Sequence, residues 1–431
     1  MRPWGIGLSV LLLTLLAAPD TLHLTFQEAL QRAYAQAPEI RLANVEIEQK
    51  GLKQLQVLSE FFPKLTGQAQ LMRLDEAPSF SFEPVPGYPI EITLGDERIE
   101  IIQGGVQLPL WTFGRRLEGY ALAGEAIQLA RLDSLEVQRN LRLNVAELYA
   151  NVITLADAER LTQAAFQNAS RHRRKIEDKY NEGLVSHYDL LQAKTREAEL
   201  LPELIDVQKQ QTTLLARLGI LLNLGTDTLL VLEPNWNLPD TVQPFFSLDE
   251  ILVSRPAWRQ IELGQEMIER QIKIKQREAL PVLVAGANYS MQRSPLTNGE
   301  WDGSWSYSLM AQVPISSGFA NYAEVKRLQK EKERLSIQAD ALMAQIRFEI
   351  EEARAELETA HARLGAASHK EKEAEELLSI VSKRNKEGLA SDIDLLDAEL
   401  GLRKARTDKV MAERDVIIAH EKWLNVTGGE Q

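Results

Sequence analysis

Two textures of apolar and polar positions alternate along this chain, and each occurs twice. The first has period two. From Trp305 onward, Trp305, Tyr307, Leu309, Ala311, Val313 and Ile315 fall on one face and Ser306, Ser308 and Gln312 on the other, with Met310 the exception. Leu283, Ala285, Ala287, Tyr289 and Met291 alternate in the same way with Asn288, Ser290 and Gln292. Earlier, Leu65, Gly67, Ala69 and Leu71 alternate with Lys64, Thr66, Gln68 and Gln70, and Val106, Leu108 and Leu110 with Gly105 and Gln107. Alternation of this kind predicts strands with one apolar and one polar face. Each runs to about 9–11 residues, the length at which a tilted strand crosses a bilayer. Trp305, Tyr307 and Tyr289 lie toward the outer strand ends, where interfacial aromatics collect. The loop of the first pair is longer, through a Pro- and aromatic-rich segment around Phe80 to Tyr88. That segment is expected to be a solvent loop, where insertions are tolerated.

The second texture is helical. Neither Gly nor Pro occurs between Gly124 and Gly183, or between Gly318 and Gly365. Both tracts are rich in strong helix formers. Rods of 50–70 residues would be about 75–100 Å long. Each carries a heptad seam: Leu141, Val145, Leu148, Val152 and Leu155 in one, Ile346, Ile350, Ala353, Leu357, Ala360 and Leu364 in the other. Steps of four and three favour knobs-into-holes packing along a neighbouring helix.

The chain then repeats itself. Glu182 to Ala193 returns as Glu387 to Ala398 with eight of twelve positions identical, at an offset of 205 residues. The same offset joins Gln107-Leu108-Pro109-Leu110 to Gln312-Val313-Pro314-Ile315 and the first residue of one seam, Leu141, to that of the other, Ile346. Two tandem copies of one large unit follow. In each, a glycine (Gly183, Gly388) suits a left-handed helix end. A Ser three residues before an Asp (Ser186/Asp189, Ser391/Asp394) then resembles a capping box that starts a return helix to about Leu224 or Val426. Each copy opens on a short capped helix, at Thr25-x-x-Glu28 and Ser247-x-x-Glu250. Gly225 to Pro244 reads as a linking loop. The division is therefore a signal peptide over 1–18 and two repeats. The first, 19–235, has its strand pair at about 64–110 and its hairpin at about 115–224. The second, 236–431, has them at about 282–315 and 319–426.

Charge and composition narrow the function. A net charge of −13 argues against a nucleic-acid partner. The basic run Arg171 to Lys175 is followed by acids and reads as a solvated helix face. Arg2, an apolar stretch from Ile6 to Leu16 and the small pair Ala17-Ala18 resemble a secretory signal. The chain has no cysteine, hence neither disulfides nor a thioether lipid anchor. Its six histidines show no metal spacing. With no nucleophile motif either, neither catalysis nor a cofactor is expected.

Four membrane-length strands cannot stand alone in a bilayer, because an open sheet leaves unpaired N–H and C=O groups in hydrocarbon. The chain must close a barrel with copies of itself, and the polar strand face suits a wet lumen.

The opening Leu24-Thr25-Phe26-Gln27-Glu28-Ala29-Leu30, the strand end Gln107-Leu108-Pro109-Leu110 with Gly114-Arg115-Arg116, and the twin Glu-Gly-Leu-x-Ser-x-x-Asp-Leu-Leu turns resemble the TolC-type outer-membrane efflux proteins. The resemblance covers nearly the whole mature chain. It implies a mixed α and β fold: a homotrimer whose 12-stranded outer-membrane barrel continues as a periplasmic helical barrel. It implies a passive exit duct for an efflux pump or type I secretion system, working with a periplasmic adaptor and an inner-membrane transporter. It places Asp394 and Asp397 at the periplasmic aperture, with Asp189 in the first turn. An Arg that holds the mouth closed in some members stands here as Ala390, leaving Arg384 and Lys386 as nearby alternatives. Asp394 has a second reading, as completion of the cap begun by Ser391. The exposed turns, with Gly183, Leu184, Ser186, Gly388, Leu389 and Ser391, are expected to dock the adaptor. The alternative function is an exported coiled-coil scaffold without a pore.

Overall fold

The computed structural model describes residues 21–77, 79–93, 97–225, 228–234, 247–293, 300–315 and 318–428. The expected signal peptide lies outside them. In chain order the elements are β1 (Thr21–Leu24), α1 (Phe26–Gln36), α2 (Pro38–Leu58), β2 (Lys64–Arg73), β3 (Ser79–Val85), β4 (Tyr88–Thr93), β5 (Arg98–Trp111), α3 (Arg115–Asn181), α4 (His187–Leu221), β6 (Leu229–Leu232), α5 (Leu248–Ser254), α6 (Pro256–Arg277), β7 (Val282–Arg293), β8 (Trp301–Gln312), α7 (Ala320–Lys386) and α8 (Asp392–Thr427). The fold is mostly helical, with three sheets among the described residues, in two repeats. Both long helices have 67 residues. No helix among the described residues is long and apolar enough to cross a membrane.

The structure falls into two compact units, and each draws on both repeats: one on the described residues of 1–42, 134–255 and 343–431, the other on 43–133 and 256–342.

The second unit holds a four-stranded antiparallel sheet in the order β2-β5-β7-β8. Its register turns the sequence alternation into two faces. Leu65, Val106, Ala287 and Tyr307 are successive partners on one face, and Thr66, Gly105, Asn288 and Ser306 on the other. On the polar face Gln103 donates to Gln68 at 2.9 Å. On the apolar face the rings of Tyr289 and Trp305 lie 4.9 Å apart. Gly303 admits this tyrosine: a Cβ there would sit 2.3 Å from the Tyr289 hydroxyl. The second pair was expected to reach Ile315, but the ladder ends at Gln312. Pro314 has no N–H to donate to it. In the first copy Pro109 is held within the ladder at a register shift. The strands β2 and β8 are the sheet's edges, with no outer partner strand among the described residues.

The segment around Phe80 to Tyr88, expected as a solvent loop, is instead part of the ribbon β3–β4. Phe80, Phe82, Ile90 and Ile92 alternate with polar residues, and the Pro86-Gly87 turn has φ +88° at Gly87. Period two outweighs proline content there. Likewise, the linking segment contains β6, whose apolar run pairs in parallel with β1.

In the first unit the seams are the core. Leu141, Val145, Val152, Ile346, Ile350, Ala353, Leu357 and Ala360 are all buried. Ala29, Ala33 and Ala37 let the first short helix approach Val145 and Tyr149 closely. Both short helices begin on the expected capping boxes. The end of α8 is tied by arginines: Arg139 donates to the Asn425 carbonyl, and Arg255 to that of Val426 at 3.0 Å. Cations at a helix C-terminus satisfy orphan carbonyls and oppose the dipole.

Candidate functional site

The two turns have one geometry. After α3, the Leu184 N–H bonds to the Lys179 carbonyl at 2.8 Å and the Gly183 N–H to that of Tyr180 at 2.9 Å. After α7, Leu389 bonds to Arg384 at 2.8 Å and Gly388 to Asn385 at 3.0 Å. This paired closure is the Schellman motif. It requires positive φ at its glycine, here +74° at both Gly183 and Gly388. Open space surrounds each, so the glycine serves conformation alone.

The return helices start on Ser186 and Ser391. The Asp189 carboxylate accepts from the Ser186 N–H at 3.0 Å and hydroxyl at 2.7 Å. That of Asp394 accepts from Ser391 at 2.9 and 2.8 Å. The serine hydroxyl's bond holds Asp189 below the usual carboxylate range, followed by that of the backbone N–H. For Asp394 the backbone bond is the larger cause and the hydroxyl the second, and the nearby charge of Arg384 adds to them. Asp394 stays exposed while Asp189 is half-buried, so capping and solvent-facing charge are compatible in Asp394. Ser391→Ala is expected to cost about 1 kcal/mol of local stability. The check is faster cleavage at the second turn by limited proteolysis, with the first turn unchanged.

Leu184 is 69% exposed and Leu389 64% exposed. The underside of the first turn is filled by Val185, against Ile176, Leu190 and Ala193. The leucines therefore stand outside it.

Asp397 is also exposed, and Arg196 of α4 reaches it at 3.3 Å. Asp392 is ion-paired to Lys179 of α3 and accepts from Asn385 at 3.3 Å. Burial alone would raise Asp392, but the hydrogen bonds from Lys179 and Asn385 bring it below its ordinary range. One heptad away on both helices, His172 faces Glu399 at 3.4 Å. On the α4 side Arg403 meets Glu203 at 2.6 Å. Between these charged rows, Leu396 is buried with Ala169 and Leu200. The first turns of α8 thus lie against both helices of the first hairpin, held by an apolar seam and flanking ion pairs. At Ala390, where the resemblance expects an Arg, only the backbone takes part: its carbonyl accepts from Asn385 at 3.0 Å. Lys179, Arg196 and Asp392 escaped the sequence reading. Their partners stand some two hundred residues away along the chain, so no local pattern marks them.

The sequence profile described as outer membrane efflux protein matches residues 29–224 and 247–429. No protein of curated function matches the chain. Among solved structures, the Campylobacter jejuni CmeC outer membrane channel superposes with a TM-score of 0.78 at 16% identity, covering 94% of this chain and 85% of its own. The outer membrane protein VceC of Vibrio cholerae gives 0.74 at 17%, covering 94% and 96%. The open state of the Neisseria gonorrhoeae MtrE outer membrane channel gives 0.76 at 16%, covering 94% and 89%.

Proposed function

This chain belongs to the outer membrane efflux protein family, and from that premise we propose that three copies of it form the exit duct of a tripartite pump. It is an outer-membrane duct for efflux. The observation that carries the reading is the sheet: membrane-length strands, two faces of opposite polarity, and open edges at β2 and β8. Hydrocarbon does not tolerate those edges. Three copies pairing β8 with the next β2 give twelve strands, enough for an aqueous lumen. A pore-free scaffold has no use for such a sheet.

The helical hairpins of the three copies pack side by side, and their turns present Leu184 and Leu389 to an adaptor bound to an inner-membrane transporter. Asp394 and Asp397 line the aperture, with Asp189 in the neighbouring turn. In place of the missing Arg at Ala390, the Lys179–Asp392 and Arg196–Asp397 pairs hold the second hairpin to the first. The two repeats, 19–235 and 236–431, supply the two kinds of hairpin.

The expected result in mild detergent is a stable trimer that conducts ions in planar bilayers. A folded monomer with full strand content, or a trimer without conductance, would favour the scaffold.

A further inference from the structure

Among the described residues, the β3–β4 ribbon has an apolar face that stands exposed. Phe80 pairs with Ile92 and Phe82 with Ile90 across the ladder. The two phenyl rings stack at 6.1 Å. These four residues are between 40% and 56% exposed. The opposite face is polar, marked by the bond from Ser79 to Glu91 at 2.7 Å. Among the described residues, no element besides the two strands themselves makes more than sparse backbone contact with the ribbon. A two-stranded ribbon is marginal alone in water, and a contiguous apolar patch of this kind marks a contact surface.

Its origin in the chain indicates the occupant. The ribbon is inserted between β2 and β5, beyond the sheet end where Leu74 still bonds to the Glu97 carbonyl. That is the end away from the connections to α2 and α3, so the ribbon stands at the outer mouth. The strand it leaves, β2, is the open edge that a neighbouring copy must cover. The ribbon is thus continuous with the seam between protomers. We infer that the Phe80, Phe82, Ile90 and Ile92 face packs against the same face of the other copies, making an apolar collar around the exit of the trimer. The inference rests on the trimeric duct proposed above. Rotational symmetry brings three identical faces about one axis, and each supplies the cover the others lack. The polar faces, with Glu83 and Glu91, stay in water.

The natural absence of cysteine makes the test clean. Ile90→Cys, oxidised in intact membranes, is expected to give disulfide-linked dimers on a denaturing gel, at most two of every three copies. Ser81→Cys on the polar face stays monomeric and reacts with a hydrophilic maleimide. Conductance and the native trimer band are unchanged in Ser81→Cys. If a trimer forms and Ile90→Cys remains monomeric and as maleimide-reactive as Ser81→Cys, the collar is wrong and the duct stands. Quenching of a Phe82→Trp variant by brominated lipid would assign the face to the bilayer and overturn the collar. Absence of any trimer would sink both readings.

Discussion

Leu389→Asp is expected to abolish export while leaving the amount of trimer unchanged, and Leu184→Asp to do the same. Both leucines stand well exposed outside turns of one geometry, and Val185, not Leu184, fills the first turn from beneath. Neither substitution removes a buried side chain from the protomer, so the fold has little to lose. At an apolar contact with a partner the new carboxylate is desolvated without a counter-charge. That costs on the order of 3 kcal/mol, roughly a hundredfold in affinity. The turn recurs six times around a trimer, so the loss multiplies. The measurement is in vivo cross-linking to the adaptor beside the trimer level. Loss of trimer and cross-link together would assign the leucines to packing. Retention of both would end the docking assignment.

The second large effect is expected at the aperture. Asp394→Ala combined with Asp397→Ala should weaken cation selectivity and block by trivalent cations by roughly tenfold or more, because symmetry removes each charge three times at one constriction. Ser391→Ala, which weakens the cap but keeps both carboxylates, separates charge from capping and should retain the block. The pH dependence has a definite sign. Asp394 is held below the ordinary carboxylate value by the Ser391 N–H and hydroxyl. Its charge therefore persists as pH falls through about 4, where an unperturbed carboxylate titrates, and is lost only on approaching the lower folded value. The stability that this bond lends the cap follows the same course: present above the unfolded pKa and lost through the folded one. Wild-type channels should stay cation-selective at pH 5. Unchanged selectivity and block in the double variant would leave Asp394 with its cap alone.

Much of this was legible because it depends on local periodicity. Alternation in Trp305 to Ala311 specifies a strand with two unlike faces, and the observed register preserves those faces across all four strands. The seam from Ile346 to Ala360 specifies a buried helix stripe. Gly388 and Ser391 specify a turn through positive φ and a side-chain cap, both properties of a few consecutive residues. The family resemblance rests on the same short signals, and it supplied Asp397 and a second role for Asp394, which spacing alone leaves as a cap.

What sequence order concealed depends on partners distant along the chain. That Asp392 meets Lys179, and Asp397 meets Arg196, follows from α8 lying against the first hairpin some two hundred residues away. No local pattern states which helix is the neighbour; the burial of Leu396 with Ala169 and Leu200 decides it. The apolar run Leu229 to Leu232 becomes a strand only because Thr21 to Leu24 offers an edge. The sequence by itself determined the elements, the repeat and the twin capped turns, because backbone sterics and residue period act over a few positions. Tertiary structure alone decided which charges pair and which apolar faces remain bare, because both are set by the surfaces that packing brings together.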